Sequence, residues 1–508
     1  MLAPRPNSHR SNRRVTLLVA LISCSCASEA EDVAPDVIVA DTAAMDVAVD
    51  TPEAPGDQGD DVDVTPVGPS LSLAAPAAIR FDAQGVPHIQ AASRNDAMYL
   101  QGWVTAHQRI FQMDSMRRQA YGTQAEVYGP DWVEDDKGKR ILGLRPIAVA
   151  NEAWVAEQHP AVHAELASYA AGTNAWLQEA QSGKHPRPEE LDRVGTDWWP
   201  EPWTVTDTLA VAKLIILANG FGADQEVLGA AASMLLGEET FRDVFRFQPM
   251  MSTYATEPGP GDESRFPKVP SAAPGKPDAT PRSAHAFTAR FAGMATERRA
   301  AIGGALIELA HRLSALRGVG LGVATGSNSY AIAGSKTESG KALFCNEFHQ
   351  PIVAPNRFMA VHMTVDGEDP VGLFGFAIPG LPYVLGGHTG AMGFGITTSF
   401  GDVSDLYAEK LNEAGDAVQF NGKSVPIERR VEVIKVKPAG GDWKSPTEDT
   451  VTVEVVPHHG PIINGLLPPQ LGLLLSSAGL VLSARWVGFD PKTSDAPAIS
   501  AIWGAQSI

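Results

Sequence analysis

The sequence predicts an α+β protein with a helix-rich first part and a strand-rich second part. Its 508 residues, 44% of them hydrophobic and 19% charged, can bury large cores and suit roughly two to four domain-sized units. Before residue 317 the apolar residues recur at helical spacing, and after Gly326 they form short β-like runs. Helices followed by strands predict a layered mixed architecture, and 48 Gly with 38 Pro predict a loop-rich globular protein.

The elements predicted before residue 317 are two short strands joined by a glycine turn, followed by four helices. The third helix has Thr204 or Thr206 as its candidate N-cap. Residues 256–285 are rich in Pro, Gly, Ser and Lys, which predicts an exposed linker. The two strands and the four helices cover 78–82, 85–89, 94–120, 151–180, 205–238 and 290–316.

The elements predicted after Gly326 are mainly strands, because the apolar runs there are short, rich in β-branched and aromatic residues, and separated by turn residues. No internal repeat is evident along the chain. The predicted strands cover 330–333, 342–345, 358–364, 371–376, 392–396, 428–437, 450–456 and 479–486.

The charge balance excludes a general nucleic-acid binder. The formal net charge is −19, from 40 basic and 59 acidic residues, whereas phosphate recognition needs a basic footprint. Much of the negative charge lies in residues 29–63, which contain many Asp and Glu and neither Lys nor Arg. Such a segment buries too little apolar surface to fold, so residues 29–76 are predicted to be a disordered acidic tether.

The first 28 residues resemble an export signal. Arginines precede the apolar run 15–22, which is shorter than the roughly 20 residues that span a bilayer. Residues 21–24, Leu-Ile-Ser-Cys, resemble a bacterial lipobox, which implies acylation of Cys24 and attachment to the membrane through that lipid alone. The predicted location is the cell envelope, as a periplasmic or outer-membrane lipoprotein. A plain secretory signal with an incidental cysteine is the alternative.

Familiar catalytic motifs are missing from the sequence. It contains neither a G-x-S-x-G elbow nor an S-x-x-K pair, which disfavours a generic serine β-lactam-binding hydrolase. The stretch 334–341, GSKTESGK, is one residue too long for a P-loop. Neither H-E-x-x-H nor paired C-x-x-C is present, and we interpret His458-His459 as structural rather than as a metal site.

Several independent blocks nevertheless resemble one family. They are GVPHIQAASRNDAMYLQGWVTAHQRIFQMDSMRRQAYG (85–122), GSNSYAIAGSKTESGKAL (326–343), IPGLPYVLGGHTGAMGFGITTSFGDVSDLY (378–407) and HHGPII (458–463). From about Ile79 onward the chain resembles the penicillin acylase family of N-terminal nucleophile hydrolases. The resemblance implies an αββα sandwich. It also implies a helical α-chain-like part (77–255), a linker or spacer propeptide (256–326) and the N-terminal part of a β-chain (327–508).

The resemblance also implies the catalytic residues. The precursor would cleave itself between Gly326 and Ser327, giving an α/β heterodimer with Ser327 as nucleophile. The freed α-amino group, with an ordinary pKa of about 7.7–8.0, would act as base through a bridging water. His349 matches a histidine that orients or polarises the serine in some members; a structural histidine is the alternative. The backbone N–H of Thr398 falls where the family places an oxyanion donor.

A calcium site and an acyl pocket follow from the same resemblance. Asp402, Ser404 and Asp405 resemble the family's calcium segment, with Glu226 as the carboxylate that completes a structural Ca²⁺ site. A solvated acidic turn is the alternative interpretation. Phe221 falls where the family lines its acyl pocket, beside a glycine that replaces a larger basic residue of some members. No organic cofactor is implied.

The expected function is hydrolysis of linear amides, such as the acyl side chain of penicillin-like or other N-acyl compounds. Family chains continue well past the block at 485–491, so the sequence is expected to be an incomplete gene product with an incomplete sandwich. Because that missing part carries an oxyanion donor, full activity is not expected from this chain alone. The alternative function is a catalytically impaired or non-catalytic envelope lipoprotein that uses the same scaffold for binding.

Overall fold

The computed structural model describes residues 61–62, 73–74, 77–237, 240–241, 295–318, 326–350, 353–365, 371–398 and 403–505. The expected export signal, almost all of the expected tether and most of the expected spacer lie outside these residues, as does Asp402. The chain divides into two compact units. The larger unit draws on residues 40–222, 313–466 and 479–508, and the smaller unit on 223–312 and 467–478.

Helices dominate the first part of the chain, as the sequence predicts. Helix α1 begins after Ser93, whose hydroxyl accepts the N–H of Asp96 at 3.1 Å, and it ends at Gly122, where φ is 64°. The helices, in chain order, are α1 (Arg94–Tyr121, interrupted at Arg109), α2 (Ala125–Tyr128), α3 (Val133–Leu142), α4 (Leu144–Gln158), α5 (Pro160–Gln181), α6 (Val205–Gly220), α7 (Ala223–Leu236), α8 (Thr296–Arg317), α9 (Pro469–Ser477) and α10 (Ala496–Trp503).

Strands dominate the second part, and together with the helices they confirm the α+β class. They are β1 (Asp61–Val62), β2 (Ala78–Phe81), β3 (Pro87–Ala91), β4 (Gly326–Ile332), β5 (Leu343–His349), β6 (Met359–Val365), β7 (Val371–Ala377), β8 (Gly386–His388), β9 (Gly393–Phe394), β10 (Ser404–Lys410), β11 (Ala417–Phe420), β12 (Lys423–Pro426), β13 (Glu428–Val436), β14 (Thr447–Val456), β15 (Gly460–Pro461) and β16 (Leu480–Trp486).

The main sheet of the larger unit has the strand order β1-β2-β3-β6-β7-β8-β9. Only β3 and β6 pair in parallel; the other neighbours in this sheet are antiparallel. The alternate side chains Met359, Val361 and Met363 of β6 are buried, and α1 packs against β3 and β6. Smaller antiparallel groups are β4-β5, β10-β16, β11-β12 and β13-β14-β15. Helix therefore covers one face of the sheet, and this agrees with the burial of every second side chain along β6.

Helices α1 and α5 cross at two glycines. A Cβ added at Gly172 would stand 1.8 Å from the carbonyl oxygen of Tyr99, and one added at Gly102 would stand 2.0 Å from that of Tyr169. The hydroxyl of Thr173 donates to the Gly102 carbonyl at 3.3 Å. Only glycine allows two helix backbones to approach this closely, so the two glycines determine where α1 and α5 cross.

Two predicted helices are each divided in the structure. The helix predicted over 151–180 is wrong as one element, because the chain breaks at His159 and Pro160 starts α5 where its missing N–H costs nothing. The helix predicted over 205–238 is also wrong as one element, because Phe221 has extended backbone angles and separates α6 from α7. Thr204 is confirmed as the cap of α6, in a reciprocal capping box with Asp207.

The stretch 205–236 contains an 18-residue window that is apolar enough to cross a membrane, with a mean hydropathy of 1.3. Just over half of that window (56%) is buried, and the first helix of the stretch, α6, packs against α1 and α4. Packing in the core therefore accounts for its apolar character. The strand predicted over 392–396 is shorter than expected, because only Gly393–Phe394 pair with β8.

A buried carboxyl in α3 predicts a pH dependence of stability. Burial raises the pKa of Asp136 to about 6, although the amides of Gln124 and Ala125 donate to it at 2.9 and 2.7 Å and oppose the rise. An unfolded aspartate has a pKa of about 3.9, so between about pH 4 and 6 the folded chain holds a proton that the unfolded chain has lost. This group's contribution to the free energy of unfolding therefore falls as pH rises through that window.

We expect the Asp136→Asn variant to lose this pH-dependent contribution. Its free energy of unfolding relative to the parent protein should increase between pH 4.5 and 6.5, as measured by urea denaturation at several pH values. A difference that stays constant across this range would show that the pKa of Asp136 is not raised.

Candidate active site

The serine singled out by the sequence lies at the start of an antiparallel ribbon formed by β4 and β5. The register pairs Gly326 with His349, Ser327 with Phe348 and Ser329 with Asn346. Ser327 is half-buried, whereas most of the ribbon beyond it is exposed. Ser327 is therefore not enclosed in a packed core, and a nucleophile must be accessible in this way.

The two faces of this ribbon carry different chemistry. In an antiparallel pair, directly opposed residues place their side chains on the same face, and successive residues along one strand place theirs on opposite faces. Ser327 therefore shares its face with Phe348 and Asn346, and His349 lies on the opposite face. Phe348 stacks on Phe358 with ring centroids 4.7 Å apart, so the serine face is the one that packs on the rest of the larger unit.

Asn346 connects this face of the ribbon to the glycine-rich segment that follows β9. Its amide nitrogen donates to the carbonyls of Asn328 and Ile396 at 3.1 and 3.0 Å, and its side-chain oxygen accepts the N–H of Ile396 at 3.2 Å. A Cβ at Gly395 would stand 2.4 Å from Asn346 Cγ, so only glycine leaves room for this side chain. One carboxamide thus fixes the backbone two residues before Thr398.

The opposite face carries a polar cluster of Asn328, Glu347 and His349. The side-chain nitrogen of Asn328 lies 2.6 Å from Glu347 Oε1 and 3.1 Å from His349 Nε2, and the latter two atoms are 3.3 Å apart. The hydrogen bond from Asn328, followed by that from His349, lowers the pKa of Glu347. The imidazole also flanks Gly326, since a Cβ there would stand 3.1 Å from Nδ1. The predicted action of His349 on the serine stays a prediction.

Two of the predicted calcium ligands, Ser404 and Asp405, are adjacent in β10 of the larger unit, and Glu226 belongs to the smaller unit. Ser404 is buried at the start of β10, where its hydroxyl accepts the N–H of Gly222 at 2.9 Å. Asp405 pairs with Arg485 across β10 and β16, and Glu226 lies in the first turn of α7, in the smaller unit. Ser404 would therefore offer a cation its backbone carbonyl. Since Asp402 lies outside the described residues, the Ca²⁺ site stays a prediction.

The predicted pocket residue Phe221 lies in an aromatic cluster. Its side chain is fully buried, with ring centroids 6.0 Å from Trp486 and 6.4 Å from Phe489. A Cβ at Gly220 would approach Val403 and the indole nitrogen of Trp486 at 3.8 and 3.9 Å. Phe221 thus anchors the end of α6 against the strand-rich part, and its contact with an acyl group stays a prediction.

Sequence reasoning missed Asn346, Glu347 and Asn328, the residues that organise the ribbon. The available signal was indirect: the glycines between 386 and 395 leave space for a neighbouring side chain. They do not identify that side chain, because Ile396 is 50 residues from Asn346 in the chain.

Comparison with known proteins identifies the chain. Its α+β fold places a half-buried serine at the start of the β4–β5 ribbon. A sequence profile described as penicillin amidase matches residues 76–508, most of the chain. The chain belongs to the penicillin amidase family.

Curated relatives agree with this assignment. The chain is 28% identical over 410 residues to acyl-homoserine lactone acylase QuiP of Pseudomonas aeruginosa, covering 80% of this chain and 42% of that protein. It is 28% identical over 440 residues to penicillin acylase 2 proenzyme of Pseudomonas sp. strain SE83 (84% and 49%). It is 29% identical over 371 residues to penicillin G acylase of Escherichia coli (70% and 43%).

The chain spans less than half the length of each of these three relatives. Among solved structures, a thermostable penicillin G acylase from Alcaligenes faecalis matches 36% of this chain and 97% of the compared chain. The sequence identity is 24% and the TM-score 0.30. The family assignment therefore rests on the sequence profile.

Proposed function

We propose that this chain hydrolyses linear amide bonds after cleaving itself between Gly326 and Ser327. The single observation that supports this most strongly is the shared ribbon face of Ser327 and Asn346, whose carboxamide holds the backbone leading to Thr398. A nucleophile and an oxyanion donor need such rigid mutual placement.

In the proposed reaction Ser327 Oγ attacks the amide carbonyl, and its proton passes through a water to the free α-amino group of the same residue. The N–H of Thr398 stabilises the developing oxyanion. The α-amino group then returns the proton to the leaving amine as the C–N bond breaks. Water hydrolyses the acyl-serine ester by the same route, releasing the carboxylic acid and restoring the hydroxyl.

The proposed substrates are small N-acyl compounds, because the relatives are named acylases of penicillins and of acyl-homoserine lactones. We further propose an envelope location with a lipid on Cys24, and a structural Ca²⁺ to which Ser404 and Asp405 would contribute oxygen atoms. These two proposals rest on the sequence resemblance.

The proposed activity is tested with purified, tag-free protein and three amides: a phenylacetyl amide, a penicillin and a long-chain N-acyl-homoserine lactone. We expect release of the free amine and the carboxylic acid from at least one of them, followed by liquid chromatography and mass spectrometry. Opening of the lactone or β-lactam ring with the side-chain amide intact would contradict the proposal, as would no hydrolysis of any amide.

Asn346 should act as a positioning residue for this reaction. In Asn346→Asp a carboxylate replaces the amide that donates to the carbonyls of Asn328 and Ile396, so the oxyanion segment should shift away from the ribbon. A misplacement of about 1 Å can cost about 10²-fold in rate, so we expect kcat to fall about 10²-fold with KM changed less than threefold. Gln419→Glu makes the same chemical change at an exposed position of β11 and should leave kcat unchanged.

The comparison separates a positioning role from a general loss of folding. Thermal unfolding of Asn346→Asp should change by much less than its kcat. Equal kcat values in the two variants would show that Asn346 does not position the oxyanion segment.

A further inference from the structure

A cluster of two histidines and a glutamate lies at the far end of β10, in the larger unit. His459 Nδ1 is 2.5 Å from Glu409 Oε1, and His458 Nε2 is 3.8 Å from Glu409 Oε2. One ligand atom from each of the three side chains lies within 4.8 Å of the others. The cluster joins a strand to the turn before β15, 50 residues later in the chain.

Neighbouring side chains hold the three groups in place. The ring of Tyr407 stacks on His459 at 3.7 Å, and the ring of Phe420 stacks on His458 at 3.8 Å, with interplanar angles of 13° and 18°. The hydroxyl of Ser483 donates to Glu409 Oε1 at 2.7 Å. A hydrogen bond to the carboxylate is a support that metal ligands commonly have, and the stacked rings restrict the orientation of both imidazoles.

The hydrogen bonding within the cluster is incomplete. Among the described residues neither ring nitrogen of His458 has a hydrogen-bond partner, although both atoms are buried and the side chain is only 14% exposed. Glu409 is 4% exposed. A buried imidazole normally pairs its nitrogens, so this one has a lone pair available beside a buried carboxylate.

In place of the structural interpretation that the sequence alone favours for the two histidines, we propose that Glu409, His458 and His459 form a binding site for a divalent transition-metal ion of the Zn²⁺ type. Bonds of about 2.0–2.2 Å in a tetrahedral Zn²⁺ site place ligand atoms about 3.3 Å apart. The observed separations of 2.5 and 3.8 Å, which end on the two different oxygens of Glu409, lie on either side of that value, so small rotations of the carboxylate and the imidazoles would open the site to an ion. Two imidazoles with one carboxylate leave a fourth position for water.

The donor set selects the ion. Zn²⁺ and similar ions accept imidazole nitrogen readily, whereas Ca²⁺ takes six to eight oxygen ligands and this cluster offers one carboxylate. The site is also separate from the predicted calcium segment, since Ser404 and Asp405 begin β10 and Glu409 lies near its end. An ion here would cross-link β10 to the turn before β15 and, through Ser483, to β16, and would stabilise this region.

The test uses full-length, tag-free protein that is treated with a chelator and then kept in excess Ca²⁺. We expect calorimetric titration with Zn²⁺ alone to show one site per chain, with an increase in Tm that saturates at the same stoichiometry. Co²⁺ in its place should give the intense visible absorption of a four-coordinate site.

Two variants and one control decide the proposal. Glu409→Gln and His458→Phe should each weaken Zn²⁺ binding at least 100-fold, and the phenyl ring of the latter preserves the stack on Phe420. His88→Gln, which removes another histidine paired with a carboxylate, that of Asp82, should leave binding unchanged. No saturable Zn²⁺ site in the parent protein, or unchanged affinity in His458→Phe, would overturn the proposal. Neither readout depends on amidase activity.

Discussion

Replacing Ser327 with alanine is expected to leave the chain uncut and to lower amide hydrolysis by at least about 10⁴-fold. The proposed reaction needs this residue twice: its hydroxyl attacks the bond that joins it to Gly326, and later attacks the substrate. Alanine has no atom that can form the acyl ester, so neither step can proceed. Intact mass and N-terminal sequencing measure the cleavage, and release of the free amine measures the hydrolysis.

Ser329→Ala is the matched control for this experiment. Ser329 lies two residues further along β4, on the same ribbon face, and is exposed. We expect this variant to be cut before Ser327 and to keep its activity. Cleavage of the Ser327→Ala chain at the same bond would exclude Ser327 as the self-cleaving group. Activity retained in that variant would exclude it as the nucleophile.

Gly172→Ala is expected to destabilise the larger unit by about 3 kcal/mol or more, and to lower its Tm by roughly 6–12 °C. The added methyl group would stand 1.8 Å from the carbonyl oxygen of Tyr99, and its three nearest neighbours would be backbone atoms that no side-chain rotation can move. Helices α1 and α5 would have to separate, which disturbs the layer that covers the main sheet. Thermal unfolding followed by circular dichroism measures the change.

The control for this prediction is a glycine in open space. Gly304 lies in α8 and is exposed, and among the described residues no atom beyond its own helical turn lies within 4 Å of an added Cβ. Gly304→Ala should be neutral or should stabilise its helix by up to about 1 kcal/mol, because alanine is the better helix former. Equal Tm values for Gly172→Ala and the parent protein would contradict the close crossing of α1 and α5.

Much of the local structure could be predicted from the sequence. Apolar spacing predicts the long helix that the structure places at Arg94–Tyr121. The threonine before residue 205 predicts the N-cap of a different helix, α6, which the structure places at Thr204. Each of these features depends on residues that are only a few positions apart in the chain. Short breaks were harder to predict: the break at Phe221 lies within an apolar stretch that continues the helical pattern, and the break at His159 lies between two helices joined by a single residue.

The candidate site likewise has features that the sequence predicts and features that depend on strand pairing. The apolar run at 330–333 predicts a strand after Ser327, and the structure extends this strand back to Gly326. The ribbon face that Ser327 shares with Asn346 follows from the pairing of β4 with β5, and sequence reasoning had not identified that pairing. The side of the ribbon on which His349 lies was likewise unknown without the register.

The sequence by itself determined the α+β order, the family and the position of the candidate nucleophile, because those depend on local periodicity and on contiguous motifs. Only the tertiary structure decided which distant groups meet: Asn346 with Ile396, Glu409 with the paired histidines, and Gly172 with Tyr99. The physical reason is that these contacts join residues about 50 or more positions apart. Their geometry is set by strand register and helix crossing, which no short stretch of the chain specifies.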